Sequence, residues 1–236
     1  FVEMDTDAQA LLIRGFSDSE LKEVIDELYV DDAVDIVEEM PANVVQRILS
    51  QAEPDMRKQI NEILRYPEDS AGSIMTTEYV SLRPNMTVEE AILRIRRTGI
   101  DKETIYTCYV TDGTRHLLGL VTALALLTSP TDKKIGDLMN EHVISAKTSD
   151  DREEVAKTLT KYDFLALPVV DSEDRLVGIV TVDDALDVIS EETEEDFAKM
   201  AGMSPSETPY LKTPAVRLFR ARIPWLLLLM VSATFT

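Results

Sequence analysis

The feature that most constrains this chain is an internal duplication across its middle. Met75 and Met139 each open a unit, at an offset of 64 residues. Thr87-Val88-Glu89-Glu90-Ala91 matches Asp151-Arg152-Glu153-Glu154-Val155, and Tyr109-Val110-Thr111-Asp112 matches Pro168-Val169-Val170-Asp171. The closing segments, His116 to Thr122 (HLLGLVT) and Arg175 to Thr181 (RLVGIVT), correspond best, with Gly119 and Gly178 at an offset of 59. The first copy therefore has the longer middle. Two copies at this spacing are two related units packed together. Each reads strand, helix, strand, turn, strand, helix, with Asp112-Gly113 and Ser172-Glu173-Asp174 as the hairpin turns.

The region before the duplication has a helical period. Leu21, Val24, Ile25 and Leu28 stand at offsets 0, 3, 4 and 7, and Ala33, Ile36, Val37 and Met40 repeat them. Ser17 followed by Glu20 forms a capping box, and Pro41 stands where a new helix begins, so short amphipathic helices run to about Tyr66.

Acidic residues number 44 against 24 basic, a net charge of −20 that repels nucleic-acid phosphates and attracts cations. The single cysteine, Cys108, excludes an intrachain disulfide and a thiolate zinc cluster, and His116 and His142 stand far apart. A metal bound here is hard and oxygen-ligated. Neither histidine has a paired nucleophile, Cys108 sits in an apolar strand context, and no Gly-rich phosphate loop occurs among the eight glycines. The expectation is a protein that is not an enzyme. Phe1 to Leu12 includes Glu3, Asp5 and Asp7 and lacks the basic start of a secretory signal, which points to a cytosolic body. Ile223 to Thr236 is an uncharged stretch of 14 residues preceded by Lys212, Arg217, Arg220 and Arg222, with Trp225 at its edge. It reads as the opening turns of a membrane helix or as a buried core helix, and the flanks favour the membrane.

The acids are unevenly placed. Asp183 to Asp196 holds eight carboxylates and no base. On a helix, Asp184, Asp187 and Glu191 share one face, as do Glu192, Glu195 and Asp196. Such pairs weaken a helix by a few tenths of a kcal/mol each unless a cation sits between them. A solvated acidic linker accounts for this run taken alone. A second cluster, Asp31, Asp32 and Asp35, opens a helix of the first region, where capping and the helix dipole do not need three acids. Two clusters on separate domains suit bridging divalent ions. Mg²⁺ keeps several waters and needs only one or two carboxylates, and no Asp-x-Asp-x-Asp-Gly calcium loop is present.

Asp163-Phe164-Leu165-Ala166-Leu167-Pro168-Val169-Val170-Asp171, followed by Gly178-Ile179-Val180-Thr181-Val182-Asp183-Asp184, resembles the CBS domain, a regulatory ligand-sensing module found in tandem pairs. With Tyr66-Pro67-Glu68-Asp69-Ser70-Ala71-Gly72-Ser73-Ile74-Met75, Glu103-Thr104-Ile105-Tyr106 and the order of parts, almost the whole chain resembles an MgtE-type magnesium transporter. The resemblance implies an α plus α/β architecture. Its parts are an N-terminal superhelical domain (1–68), CBS units (69–132 and 133–189), an acidic connecting or plug helix (190–212), and a basic flank leading into a truncated transmembrane helix (213–236). It further implies a homodimer through the CBS pairs at the cell membrane, with this region on the cytoplasmic side, gating its own pore domain. Regulatory Mg²⁺ is expected at Asp31, Asp35, Asp184, Asp187, Glu192, Glu195 and Asp196, and also at Glu153 and Asp163. For these last two, the exposed start of a helix and the cap of the following turn are equal local readings. CBS pairs also hold adenine nucleotides through a Ser/Thr and an Asp three residues on. Thr181 and Asp184 keep that pair, but Ala125 stands where the first unit's Asp would be, so weak or absent ATP binding is expected. The alternative function is an adenine-nucleotide-sensing CBS module of another transporter.

Overall fold

The structure, a computed structural model, describes Met4, residues 6–200 and the single positions Phe219, Ile223, Leu227 and Met230. The chain divides into two units, Phe1–Ala185 and Leu186–Thr236.

The first unit begins with five helices, α1 (Thr6–Gly15), α2 (Asp18–Asp26), α3 (Val30–Glu39), α4 (Ala42–Gln51) and α5 (Pro54–Ile63). The capping box forms as expected: the Ser17 side chain accepts from the Glu20 N–H, and the Ser17 N–H donates to Glu20 Oε2 at 2.8 Å. α4 starts directly after Pro41, and Pro54 opens α5, where a missing N–H costs nothing. α3 is buried on two sides. Ile36, Val37 and Met40 join Ile13, Leu21, Ile25, Val44 and Ile48 in one core, while Val30, Ala33 and Val34 pack with Ile60 and Ile63 in another. Each such aliphatic side chain contributes roughly 1.5–3 kcal/mol when fully buried, so α3 is the best-anchored helix of the domain.

The duplicated region then folds twice in the expected order. The first copy is β1 (Ser81–Leu82), α6 (Val88–Thr98), β2 (Thr107–Thr111), β3 (Leu117–Thr122) and α7 (Ala123–Thr128). The second is β4 (Ala146–Lys147), α8 (Arg152–Tyr162), β5 (Ala166–Val170), β6 (Leu176–Thr181) and α9 (Val182–Met200). In each three-stranded sheet the first strand is parallel to the middle one and the last is antiparallel to it. Register shifts fall at matching places, Val110/Thr111 and Val169/Val170. The hairpins close where the sequence places them, the Asp112 N–H donating to His116 O at 3.1 Å and the Asp171 N–H to Arg175 O at 2.9 Å.

Each copy is completed by the other. Thr76, just ahead of the first copy's strands, exchanges backbone hydrogen bonds of 2.8 and 2.9 Å with Ile179 on β6. Asn140 does the same with Leu120 on β3, at 2.8 and 3.0 Å. Tyr109, Ala166, Leu176 and Ile179 form the apolar contact between the copies. The crossing backbone passes directly over Gly119 and Gly178: a Cβ at Gly119 would lie 2.8 Å from Asn140 O, and one at Gly178 2.8 Å from Thr76 O. This close approach explains why both copies carry glycine in the closing strand.

α9 runs unbroken through the boundary drawn at 189/190, so the last helix of the second CBS unit and the acidic helix are one element as far as Met200. The rest of the expected connecting helix (201–212) and the expected flank and membrane segment (213–236), with Lys212, Arg217, Arg220, Arg222 and Trp225, lie outside the described residues apart from the four single positions, which are helical. Among the described residues no helix is long and apolar enough to cross a membrane.

Gly119→Ala and Gly178→Ala are each expected to lower stability by about 1–3 kcal/mol, the usual cost of overpacking. Urea unfolding checks this against Gly113→Ala, whose Cβ meets nothing within 4 Å.

Candidate metal centre

The site is built around the start of α3. Tyr29 caps this helix without a side-chain hydrogen bond, and Asp31 and Asp32 occupy the first turn, where free N–H groups and the helix dipole favour negative charge. Asp31 Oδ1 accepts from the Asp32 N–H at 3.0 Å. Its neighbours Val30, Ala33 and Val34 must be buried for α3 to pack, and they carry Asp31 inside with them, to 7% exposure.

Asp184 comes from the first turn of α9, immediately after β6. Thr181 Oγ1 donates to Asp184 Oδ2 at 2.6 Å. A third acid, Glu103, stands on the segment between α6 and β2, and its N–H donates to Glu78 O at 2.9 Å. Glu103 Oε2 is buried and accepts no hydrogen bond.

These groups raise one another's pKa values. Burial pushes the Asp31 carboxyl up to about 8, and the Glu103 charge adds to it. Burial pushes Asp184 up to about 7, with Asp31 as the next cause. Glu103 also rises to about 7, first through burial and then through Asp183 and Asp184. The Tyr29 phenol is raised by burial and by the charges of Glu103, Glu78, Asp31 and Asp32. Carboxylates in this setting gain from anything that cancels negative charge, whether a proton or a hard cation. The donor atoms are all oxygens, which fits Mg²⁺ or Ca²⁺ better than a soft metal. Among the described residues no group of three or more His, Cys, Asp or Glu already stands at the spacing that would hold a metal ion.

The other expected ligands fall in different places. Asp35 is exposed on α3, one turn beyond Asp31. Glu153 pairs with Lys157 at 2.9 Å, and its N–H, like that of Glu154, is capped by Asp151 at the start of α8. Asp163 ends α8 in the left-handed conformation, φ 53°, with its N–H donating to Leu159 O. It therefore closes the helix before it, where a cap on the turn after it was one expectation. Asp187, Glu192, Glu195 and Asp196 lie on α9 in the second unit, where Glu195 pairs with Lys199 at 2.7 Å. The structure thus brings Asp31 and Asp184 together and gives Glu153 and Asp163 places at helix ends. Glu78 and Glu103 were missed as site residues, and Asp32 and Asp183 were counted only within acidic runs. The stretch beginning at Glu103 was noticed for its resemblance, but no periodicity marks a loop glutamate as part of a site.

In the first CBS unit Thr122 Oγ1 accepts from the Ala125 N–H at 3.2 Å, so the helix cap persists without the acid. Burial pushes the Cys108 thiol up to about 12, as a structural cysteine requires.

A family profile described as the MgtE intracellular N domain matches residues 1–69, and that of the CBS domain matches 71–130 and 135–191. A solved structure of the cytosolic domain of the Mg²⁺ channel MgtE, in complex with ATP, is 40% identical, with a TM-score of 0.75 over 79% of this chain and 77% of that one. The chain belongs to the MgtE family. A second structure, the soluble part of a magnesium transporter, gives a TM-score of 0.77 at 39% identity, covering 80% of this chain and 74% of that one. The magnesium transporter MgtE of Thermus thermophilus is 40% identical over 205 residues, 87% of this chain but 46% of the transporter. The chain therefore spans just under half the length of that MgtE relative.

A carboxyl whose folded pKa exceeds its unfolded value stabilises the fold most when protonated. That contribution is complete below about pH 4 and is lost as pH rises through the folded values, about 7 for Glu103 and Asp184 and about 8 for Asp31. Without divalent cations, stability is therefore expected to fall from about pH 4 to about pH 8 and to level off above that. Asp31→Asn should flatten that slope and add at least about 1.4 kcal/mol at the upper pH, the worth of one pKa unit, in urea unfolding at both pH values.

Proposed function

We propose that this chain is the cytosolic Mg²⁺-sensing region of a magnesium channel or transporter, in which Mg²⁺ bridging the helical, CBS and plug segments closes the pore when intracellular Mg²⁺ is high. The observation that carries this reading is that the charge of Asp31, from the helical domain, acts on Asp184, from the end of the CBS pair, with Glu103 coupled to both. Coulomb repulsion between these carboxylates drives the two domains apart. A divalent ion reverses the sign of the interaction at that seam, and Glu103 Oε2 is a buried donor atom that gains from it. Mg²⁺ keeps most of its waters, so carboxylates from facing segments suffice without an enclosing cage. Because the ion prefers the compact arrangement, binding and closure are linked, and the sensor responds in proportion to that preference.

In this reading Asp31 and Asp184 hold the ion at the domain seam. Asp35, Asp187, Glu192, Glu195 and Asp196 carry further ions, and Glu153 and Asp163 supply peripheral oxygens. The region works without enzymatic chemistry, as a homodimer through its CBS pairs, on the cytoplasmic side of the cell membrane beside its own pore domain, and it binds no nucleic acid. The names of the relatives support magnesium as the ion. An adenine-nucleotide sensor is the second reading, favoured by the Thr181–Asp184 pair and by the ATP complex of the related cytosolic domain.

Small-angle scattering and limited proteolysis across Mg²⁺ concentrations at constant ionic strength, with Ca²⁺ and ATP in parallel, test the proposal. Saturable compaction and protection are expected with Mg²⁺. Asp31→Ala and Asp184→Ala should each shift the midpoint upward by about tenfold, equivalent to ~1.4 kcal/mol of linkage. Compaction no greater than in a salt control would sink the sensor reading, and compaction by ATP alone would favour the second one.

A further inference from the structure

We propose that the cleft between α5 and the first CBS hairpin binds a small anion carried on a flat apolar ring, either an aromatic carboxylate or a heteroaromatic phosphate monoester. The cleft has a volume of about 410 Å³ and is lined by none of the carboxylates of the metal centre. That size matches the range of small-molecule sites.

Its lining is mixed, with an apolar and aromatic part beside charged and polar side chains. Ile63 and Tyr66 come from the end of the helical domain, and Met75, Tyr79 and Val177 from the CBS pair. Tyr79 is held in place, its OH donating to Leu176 O at 3.2 Å and its ring meeting Tyr109 edge to face at 6.2 Å. Gln59 Nε2 donates to Thr77 Oγ1 at 3.0 Å, which ties the two walls together. A fixed aromatic wall of this kind receives a planar ring.

Two cations face the same cleft, Lys58 from α5 and Arg115 from the hairpin. Among the described residues neither ammonium nor guanidinium makes a hydrogen bond or ion pair. In a chain of net charge −20, two cations beside one aromatic cleft supply the complement of an anionic head, although the Arg115 charge also acts on Asp171. Asp55 and Glu62 also line the opening and limit the negative charge a ligand can bring, which works against a triphosphate.

The duplication provides an internal control for Arg115. Its backbone is left-handed, φ 70°, and so is that of Asp174, φ 58°, at the matching place in the second hairpin. The turn demands that conformation in both copies but does not demand arginine. Glycine is the cheapest residue there and aspartate tolerates it, whereas arginine gains nothing from the backbone. The reason for Arg115 lies in its side chain.

Titration calorimetry on the full 236-residue chain with AMP, benzoate and inorganic phosphate tests the site. At least one ring-bearing anion should bind one-to-one, and which one binds identifies the head group. Arg115→Gly relieves the left-handed strain, so it should melt at or above the parent temperature while weakening binding ~10-fold or more, and Lys58→Ala should weaken it as well. Thr181→Ala separates this cleft from the nucleotide reading of the Thr181–Asp184 pair. The proposal is overturned by the absence of saturable heat with both ring-bearing anions, by phosphate binding as tightly as they do, or by affinity that follows Thr181 and ignores Arg115.

Discussion

Two pairs of backbone hydrogen bonds, Thr76 with Ile179 and Asn140 with Leu120, hold the CBS pair in its crossed arrangement, and the acidic site depends on that crossing. The chain leading into the first copy belongs in space to the sheet of the second. It therefore runs antiparallel to β6, the strand that leads directly into α9, where Asp183 and Asp184 stand. Glu78 lies two residues beyond Thr76, and Glu103 hydrogen-bonds to its carbonyl. A glycine under each crossing is the condition for all of this, because any side chain at Gly119 or Gly178 would strike the passing backbone.

The same geometry sets which electrostatic effect dominates. Repulsion between exposed acids one turn apart on a helix amounts to a few tenths of a kcal/mol per pair. For Asp31, Asp184 and Glu103 the first cause of the raised pKa is burial, and neighbouring charge comes second. The acids that respond most to a cation are thus those taken out of water, and crowding along the sequence is a poorer guide. Asp31 bears this out: among the several acids of α3 it is the one packed in with Val30, Ala33 and Val34, and burial pushes it up to about 8.

The N-terminal domain supplies the rigidity this requires. α3 is packed from two sides, so its first turn cannot rotate Asp31 outward without exposing Val30, Ala33 and Val34. Apolar burial of those side chains offsets the cost of carrying a carboxylate inside. The cleft between α5 and the first hairpin shows how the duplication can diverge: the turn is retained in both copies, while the residue at its left-handed position changes from Arg115 to Asp174.

Much of the fold was legible in the residues themselves. Helical spacing from Leu21 to Met40, the Ser17–Glu20 box, the repeated order of strands and helices, and the hairpin turns all depend on local periodicity or on matching one segment with another, and both can be read along a line of text. Asp31 and Asp184 were legible too, through the resemblance and their places at helix starts. Glu78 and Glu103 were not, nor was the pairing of Glu195 with Lys199 weighed against a metal role. By itself the sequence determined the elements, the duplication and the acidic character, and it named Asp31 and Asp184 as candidates. Only the tertiary structure decided which acids leave water and which segments cross. Burial and crossing are properties of residues far apart in the chain, and no local pattern encodes the distance between them.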